Sequence, residues 1–141
     1  MKISIACDHG GLQLKNHVAE FLKEHGYQVV DFGTFTTDSC DYPDFAKQAA
    51  QAVADGRCKK GIVICTTGIG VSIVANKVKG VRCALCTTAD MATRTRAHND
   101  ANMIAMGQIL LPQGIYRRPW PLPSNRTEPS SRISTAVALP V

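Results

Sequence analysis

The sequence predicts an α/β fold, a Rossmann-like three-layer domain with a five-stranded parallel sheet. Short apolar, β-branched runs recur at 2–7, 27–32, 61–65, 81–86 and 102–106, the pattern of strands buried on both faces. Segments of helical period separate them. Alternating β and α elements with short connections imply a parallel sheet covered by helices on each side.

Taken in order, the first run, Ile3 to Cys7, is followed by a helix over 11–25 that stripes Leu14, Val18, Phe21, Leu22 and His25 on one face. After the second run a helix over 43–54 opens on Pro43, a good first-turn residue, and stripes Phe45, Ala46, Ala49, Ala50 and Val53. The third run leads into a helix over 70–78, and the fourth into a more polar helix over 89–98. Beyond Leu111 the character changes. Six of the seven prolines fall there, interspersed with Ser, Thr and Arg and without helical or strand period, so 1–110 reads as one domain and 111–141 as an irregular tail.

The chemistry concentrates in Ile62-Val-Ile-Cys65-Thr66-Thr67-Gly68-Ile69-Gly70-Val71-Ser72, a strand that enters a helix through a thiol and a glycine-spaced loop. Such a junction aims backbone N–H groups and the positive helix end at an anion above the sheet edge. Cys65 stands at its mouth, where oriented amides favour thiolate over thiol, the form that acts as base or nucleophile. A small buried hydrophobe at a strand end is the alternative reading of the same residue. Ligands of open parallel sheets bind outside the carboxyl ends of the strands. That rule is expected to gather Cys7, Asp8 and His9, the Cys65 to Gly70 loop, and His98, Asn99 and Asp100 at one edge, with the Asp38 to Tyr42 loop closing over it. Acid, imidazole, thiol and anion loop together suit proton transfer on a small anionic or polyhydroxylated ligand.

Charge and cysteine content narrow the classes. The net charge of +5 resides mostly in the tail, where four Arg face Glu128, whereas 1–110 carries twelve Lys/Arg against ten Asp/Glu. A mildly basic body without a dense basic run argues against nucleic acid as partner. No stretch is long and apolar enough to span a bilayer, and the short apolar start meets charge at once, so no membrane partner and a cytoplasmic location are expected. The six cysteines are scattered, which predicts reduced thiols. Cys83-Ala-Leu-Cys86 would place its two side chains on opposite faces of a strand, and no metal site is expected.

On Cys7-Asp8-His9-Gly10-Gly11, Asp41-Tyr42-Pro43, Cys65-Thr66-Thr67-Gly68-Ile69-Gly70-Val71-Ser72-Ile73-Val74-Ala75-Asn76-Lys77 and His98-Asn99-Asp100-Ala101-Asn102, the chain to about Gly107 resembles the ribose-5-phosphate isomerase B family, which includes the galactose-6-phosphate isomerase subunits. The resemblance implies interconversion of an aldose 5-phosphate and its ketose through a cis-enediolate, without metal or cofactor, by a homodimer or homotetramer. It implies Cys65 as base, Thr66 to Gly70, including Gly68 and Ile69, as the amides around the oxyanion, and Thr67 as a proton relay. Asp8 and His98 match ring-opening positions, Tyr42 and Asn99 supporting contacts, and His9 a phosphate contact.

Two departures accompany the resemblance. The family loop usually has glycine where Thr66 stands. The family also continues into a helix and a basic Gly-Gly-Arg-His-like segment that supplies phosphate-binding arginines, where this chain has Pro112-Gln-Gly-Ile-Tyr-Arg117-Arg118-Pro119-Trp120-Pro121. Arg117, Arg118, Arg126 and Arg132 lack that motif, and the switch has the character of a frameshifted or otherwise altered end. Each lost arginine contact to phosphate would remove about 1.5–3 kcal/mol. A degenerate member that binds sugar phosphate or assembles with partners is therefore the second reading. A thiol phosphatase would need arginine where Val71 stands, and a flavin or nucleotide module has no use for the Cys65, Asp8 and His98 grouping.

Overall fold

The computed structural model describes residues 1–110, so the expectations for 111–141 lie outside the described residues. Five strands, β1 (Lys2–Cys7), β2 (Gln28–Asp31), β3 (Lys60–Cys65), β4 (Cys83–Leu85) and β5 (Met103–Gly107), alternate with helices α1 (Leu12–Glu24), α2 (Tyr42–Ala54), α3 (Ile69–Asn76) and α4 (Ala89–Asn99). A single 3-10 turn, His9–Gly11, leads from β1 into α1. All strands pair in parallel, in the order β2-β1-β3-β5-β4.

The apolar runs are central because both faces of the sheet are covered. Ile3, Ile5, Ile62, Ile64, Ile104 and Met106 point to the α1 and α4 side, where they meet Leu14, Val18, Leu22 and Ala92. Ala6, Val63, Met103 and Ala105 point to the other side, against the alanine stripe of α2 and Val71 and Ala75 of α3. Cys83 and Cys86 fall in these two opposite layers, as alternation along a strand requires. The small stripe of α2 lets it approach the sheet closely enough for buried Ser4 Oγ to donate to the Ala49 carbonyl at 3.0 Å.

The element bounds differ from expectation at their ends. The fourth strand is only three residues long, and α3 stops at Asn76, whose side chain instead brackets Cys83, accepting from its N–H at 2.9 Å and donating to its carbonyl at 2.7 Å. His25 is exposed beyond the end of α1, its Nδ1 2.8 Å from the Phe21 carbonyl oxygen. Lys15 is fully buried. Its Nζ pairs with Asp31 at 2.8 Å, donates to the Thr34 carbonyl at 2.9 Å and lies 4.4 Å from the centre of the Phe35 ring.

Strand order places the site. The chain steps from β1 to one side and then returns past it to β3, so the connections after β1 and β3 diverge and leave a crevice at their carboxyl ends. Asp8 to Gly11 and Thr66 to Gly70 line that crevice.

Candidate active site

The Cys65 loop is held from both sides. Gln108 N–H donates to the Cys65 carbonyl at 2.9 Å and Ile109 N–H to the Thr66 carbonyl at 3.1 Å. The loop turns at Gly68, which caps α3 in the left-handed region at φ 79°. Any side chain there would be strained and would drive a Cβ to 2.6 Å from Leu85 Cδ1 and 2.8 Å from the Met106 carbonyl carbon. This turn brings Gly68 N–H to 3.0 Å from Cys65 Sγ.

The thiol is thus 6% exposed, at the strand end and beside the start of a helix, with a backbone donor on its sulfur. The sulfur therefore sits between a backbone donor and the amino-terminal end of α3. Ile69 N–H goes to Thr67 Oγ1 at 3.3 Å, which orients the Thr67 hydroxyl toward the same loop. First-turn N–H groups of a helix lack intrahelical acceptors, so α3 presents Gly70 and Val71 to an incoming anion.

Across the crevice, Asp8 is almost wholly buried, and its Oδ1 has no hydrogen-bond partner among the described residues. His9 is exposed and its Nδ1 accepts the Cys40 N–H at 3.3 Å. An accepting Nδ1 leaves the ring proton on Nε2, so the imidazole offers a donor outward. Tyr42 opens α2, and its ring covers Gly70, where an added Cβ would meet the ring at 2.8 Å. The structure therefore brings Asp8, His9, Tyr42, Cys65, Thr66, Thr67, Gly68, Ile69 and Gly70 to one edge.

His98 and Asn99 are elsewhere, and the expectation that they share this edge is corrected. They end α4, immediately before β5, and β5 runs parallel to β3 with Met103 opposite Gly61 and Gly107 opposite Cys65. Four residues of strand put the start of β5 about 13 Å from the Cys65 level. The physical reason is general: a helix joining parallel strands runs back along the sheet, so its last turn lies at the amino-terminal edge. There Asn99, whose carbonyl accepts from Arg82 Nε at 2.6 Å, lines a cavity of about 350 Å³ with Asn76, Val81, Arg82 and Cys83. His98 and Asn99 are both exposed, and Asp100 pairs with Arg96.

Burial pushes the Cys7 thiol up to about 12, with Lys15 opposing, and the Cys7 Sγ lies 3.8 Å from the Thr34 carbonyl oxygen. Burial likewise raises Cys83 to about 12 and Cys86 to about 11. These thiols stay protonated at neutral pH. Two features had no separate expectation: the Cys40 N–H that holds His9, a backbone contact invisible to side-chain motifs, and the buried Lys15, which stands three residues before Val18 and seven before Leu22 on the apolar stripe.

This architecture is shared with known proteins. Residues 3–118 match the ribose/galactose isomerase family. The chain is 45% identical over 106 residues to ribose-5-phosphate isomerase B of Escherichia coli K12, covering 75% of this chain and 71% of that protein. The solved ribose-5-phosphate isomerase B of Clostridium thermocellum superposes with a TM-score of 0.78 at 55% identity, over 79% of this chain and 75% of that one. The Thermotoga maritima enzyme superposes with a TM-score of 0.80 at 35% identity, over 99% and 87% of the two chains. With the parallel five-stranded sheet and the Cys65 loop in place, these matches show that the chain belongs to the ribose/galactose isomerase family.

Proposed function

We propose that this chain interconverts ribose 5-phosphate and ribulose 5-phosphate, or a closely related sugar phosphate pair, through a cis-enediolate. The observation that carries the reading is the Gly68 N–H on Cys65 Sγ at the start of α3. In this reading the Cys65 thiolate takes the proton from C2 of the open-chain aldose. Negative charge grows on the carbonyl oxygen, which faces the Gly70 and Val71 amides in the first turn of α3. Thr67 passes a proton between the two oxygens, and Cys65 returns its proton to C1, which completes the ketose. Asp8 assists opening of the sugar ring, Tyr42 borders the substrate and His9 donates through Nε2 to the phosphate.

His98 and Asn99 fit this scheme only across a subunit boundary. Their edge of the sheet is remote from Cys65 within one chain, so the ring-opening imidazole and the Asn99 contact serve the Cys65 loop of a neighbouring copy. The proposed active form is accordingly a homodimer or a larger homo-oligomer. The absence of the basic Gly-Gly-Arg-His-like segment after Gly107 favours a second reading, a member that binds sugar phosphate without efficient turnover.

Isomerisation in deuterium oxide separates the two. Proton transfer through Cys65 predicts deuterium at C1 of the ribulose 5-phosphate formed by the wild type and no labelled product from Cys65→Ala. Equal labelling by both proteins would refute the base assignment. Binding without product in the wild type would establish the second reading.

A further inference from the structure

Between β2 and α2 the chain forms a strap, residues 35–41, that is neither helix nor strand. Its root is braced on the strand that leads to His9. Thr34 N–H donates to the Cys7 carbonyl at 2.7 Å, and the Thr34 carbonyl accepts from buried Lys15 Nζ at 2.9 Å. Its far end enters α2, where Asp44 N–H donates to the Asp41 carbonyl at 3.2 Å and the Tyr42 ring covers Gly70. In between, Phe35 to Ser39 are exposed. Among the described residues, His9 is the only hydrogen-bond partner of residues 37–40: Cys40 N–H donates to His9 Nδ1 at 3.3 Å, and Cys40 Sγ lies 3.8 Å from the same nitrogen.

That contact fixes what the imidazole can do. A neutral ring carries one N–H and one acceptor nitrogen. Because Cys40 N–H takes the acceptor at Nδ1, the proton resides on Nε2 of an exposed side chain. An anionic oxygen that accepts from Nε2 polarises the ring and strengthens the bond at Nδ1, as hydrogen bonds in a chain do. Linkage makes the effect mutual: whatever fastens Cys40 onto Nδ1 favours the anion on Nε2 by the same factor. We infer that Cys40 is a positioning residue acting through its main chain, which holds His9 as an Nε2–H donor, and that an anion on that donor fastens the 35–41 strap. Resting on the sugar-phosphate reading above, in which His9 meets the phosphate, this device ties phosphate binding to the order of the strap. The Cys40 thiol has no part in it.

The probe is ribitol 5-phosphate, an unreactive polyol phosphate, added to the full chain at about pH 8, above the titration range of an ordinary imidazole. Nitrogen-15 resonances of the histidine rings report the tautomer, with His9→Ala identifying the His9 signals, and hydrogen exchange of the Cys40 amide reports the strap. In the wild type His9 is expected as the Nε2–H tautomer. Saturating ribitol 5-phosphate should slow Cys40 exchange by about two- to fivefold, an effect absent from His9→Ala. Cys40→Ala keeps the N–H and should keep both tautomer and affinity, whereas Cys40→Pro lacks it and should mix the tautomers and weaken binding by about the same two- to fivefold. An Nδ1–H tautomer in the wild type, or Cys40 exchange that the bound ligand leaves unchanged, overturns the inference and leaves the sugar-phosphate reading standing. Loss of the tautomer in Cys40→Ala does the same. The wild-type, His9→Ala and Cys40→Ala results decide the matter even where Cys40→Pro fails to fold. A folded wild type that does not bind ribitol 5-phosphate overturns the sugar-phosphate reading and this inference with it.

Discussion

Replacing Gly68 by alanine perturbs the turn on which the thiol depends. At φ 79° an L-residue pays for the left-handed conformation, about 1–2 kcal/mol. The new methyl would also stand 2.6 Å from Leu85 Cδ1, 2.8 Å from the Met106 carbonyl carbon and 3.0 Å from Gly107 N. Two of these neighbours are backbone atoms of the buried strand β5 and cannot step aside, so overpacking adds about 1–3 kcal/mol. The sum, about 2–5 kcal/mol, is a large share of the ~5–15 kcal/mol that holds a domain folded. With a urea slope of about 1.5 kcal/mol/M, the midpoint should fall by roughly 1.3–3.3 M. Gly80→Ala is the control: its φ is 89° but no atom of the described residues lies within 4 Å of an added Cβ, so it carries the conformational cost alone. The assay is equilibrium urea unfolding followed by circular dichroism. If Gly68→Ala proves no worse than Gly80→Ala, the close approach of the loop to β5 is wrong, and with it the placement of the Gly68 N–H on Cys65.

The remaining predictions concern the core, pH and assembly. Lys15→Met leaves the Asp31 carboxylate and the Thr34 carbonyl without their buried cation and should lower stability by about 3 kcal/mol; in a double-mutant cycle Asp31→Asn should add much less on that background than in the wild type. For Cys7 the sign follows from its raised value: folding favours the neutral thiol, so the stabilisation is present below pH 9 and is lost as pH rises toward about 12. Urea midpoints measured from pH 8 to 11 should therefore fall more steeply for the wild type than for Cys7→Ala. Thr88→Ala removes the Oγ1 that accepts Met91 N–H at 3.2 Å at the start of α4, and should lower the unfolding free energy in the same titration by about 1 kcal/mol. Mixing inactive Cys65→Ala with inactive His98→Ala under conditions of subunit exchange should restore activity if the two residues meet across subunits, and restoration would be absent if they served one chain.

Much of this fold was legible because strands buried on both faces leave a continuous apolar signature, and helices over them leave a stripe. The Cys65 loop was legible for a related reason: Gly68 and Gly70 occupy positions where backbone conformation and the Tyr42 ring exclude a side chain. Lys15 was obscured because its long stem packs on the stripe while its charge finds Asp31, a partner sixteen residues away. His98 and Asn99 were misplaced because motif spacing carries no direction. Only the run of α4 from the carboxyl edge to the amino edge of the sheet determines at which end they emerge. Cys40 likewise gave no signal for its hold on His9, since the contact is made by its main chain.

The central claim is that Cys65 moves a proton within a sugar phosphate. The most direct measurement is the rate of ribose 5-phosphate conversion to ribulose 5-phosphate by the full 141-residue chain beside its Cys65→Ala variant, with folding of both verified. Turnover in the wild type and its loss on substitution are expected. Equal rates in the two proteins, or no turnover by a correctly folded and assembled wild type, would contradict that claim.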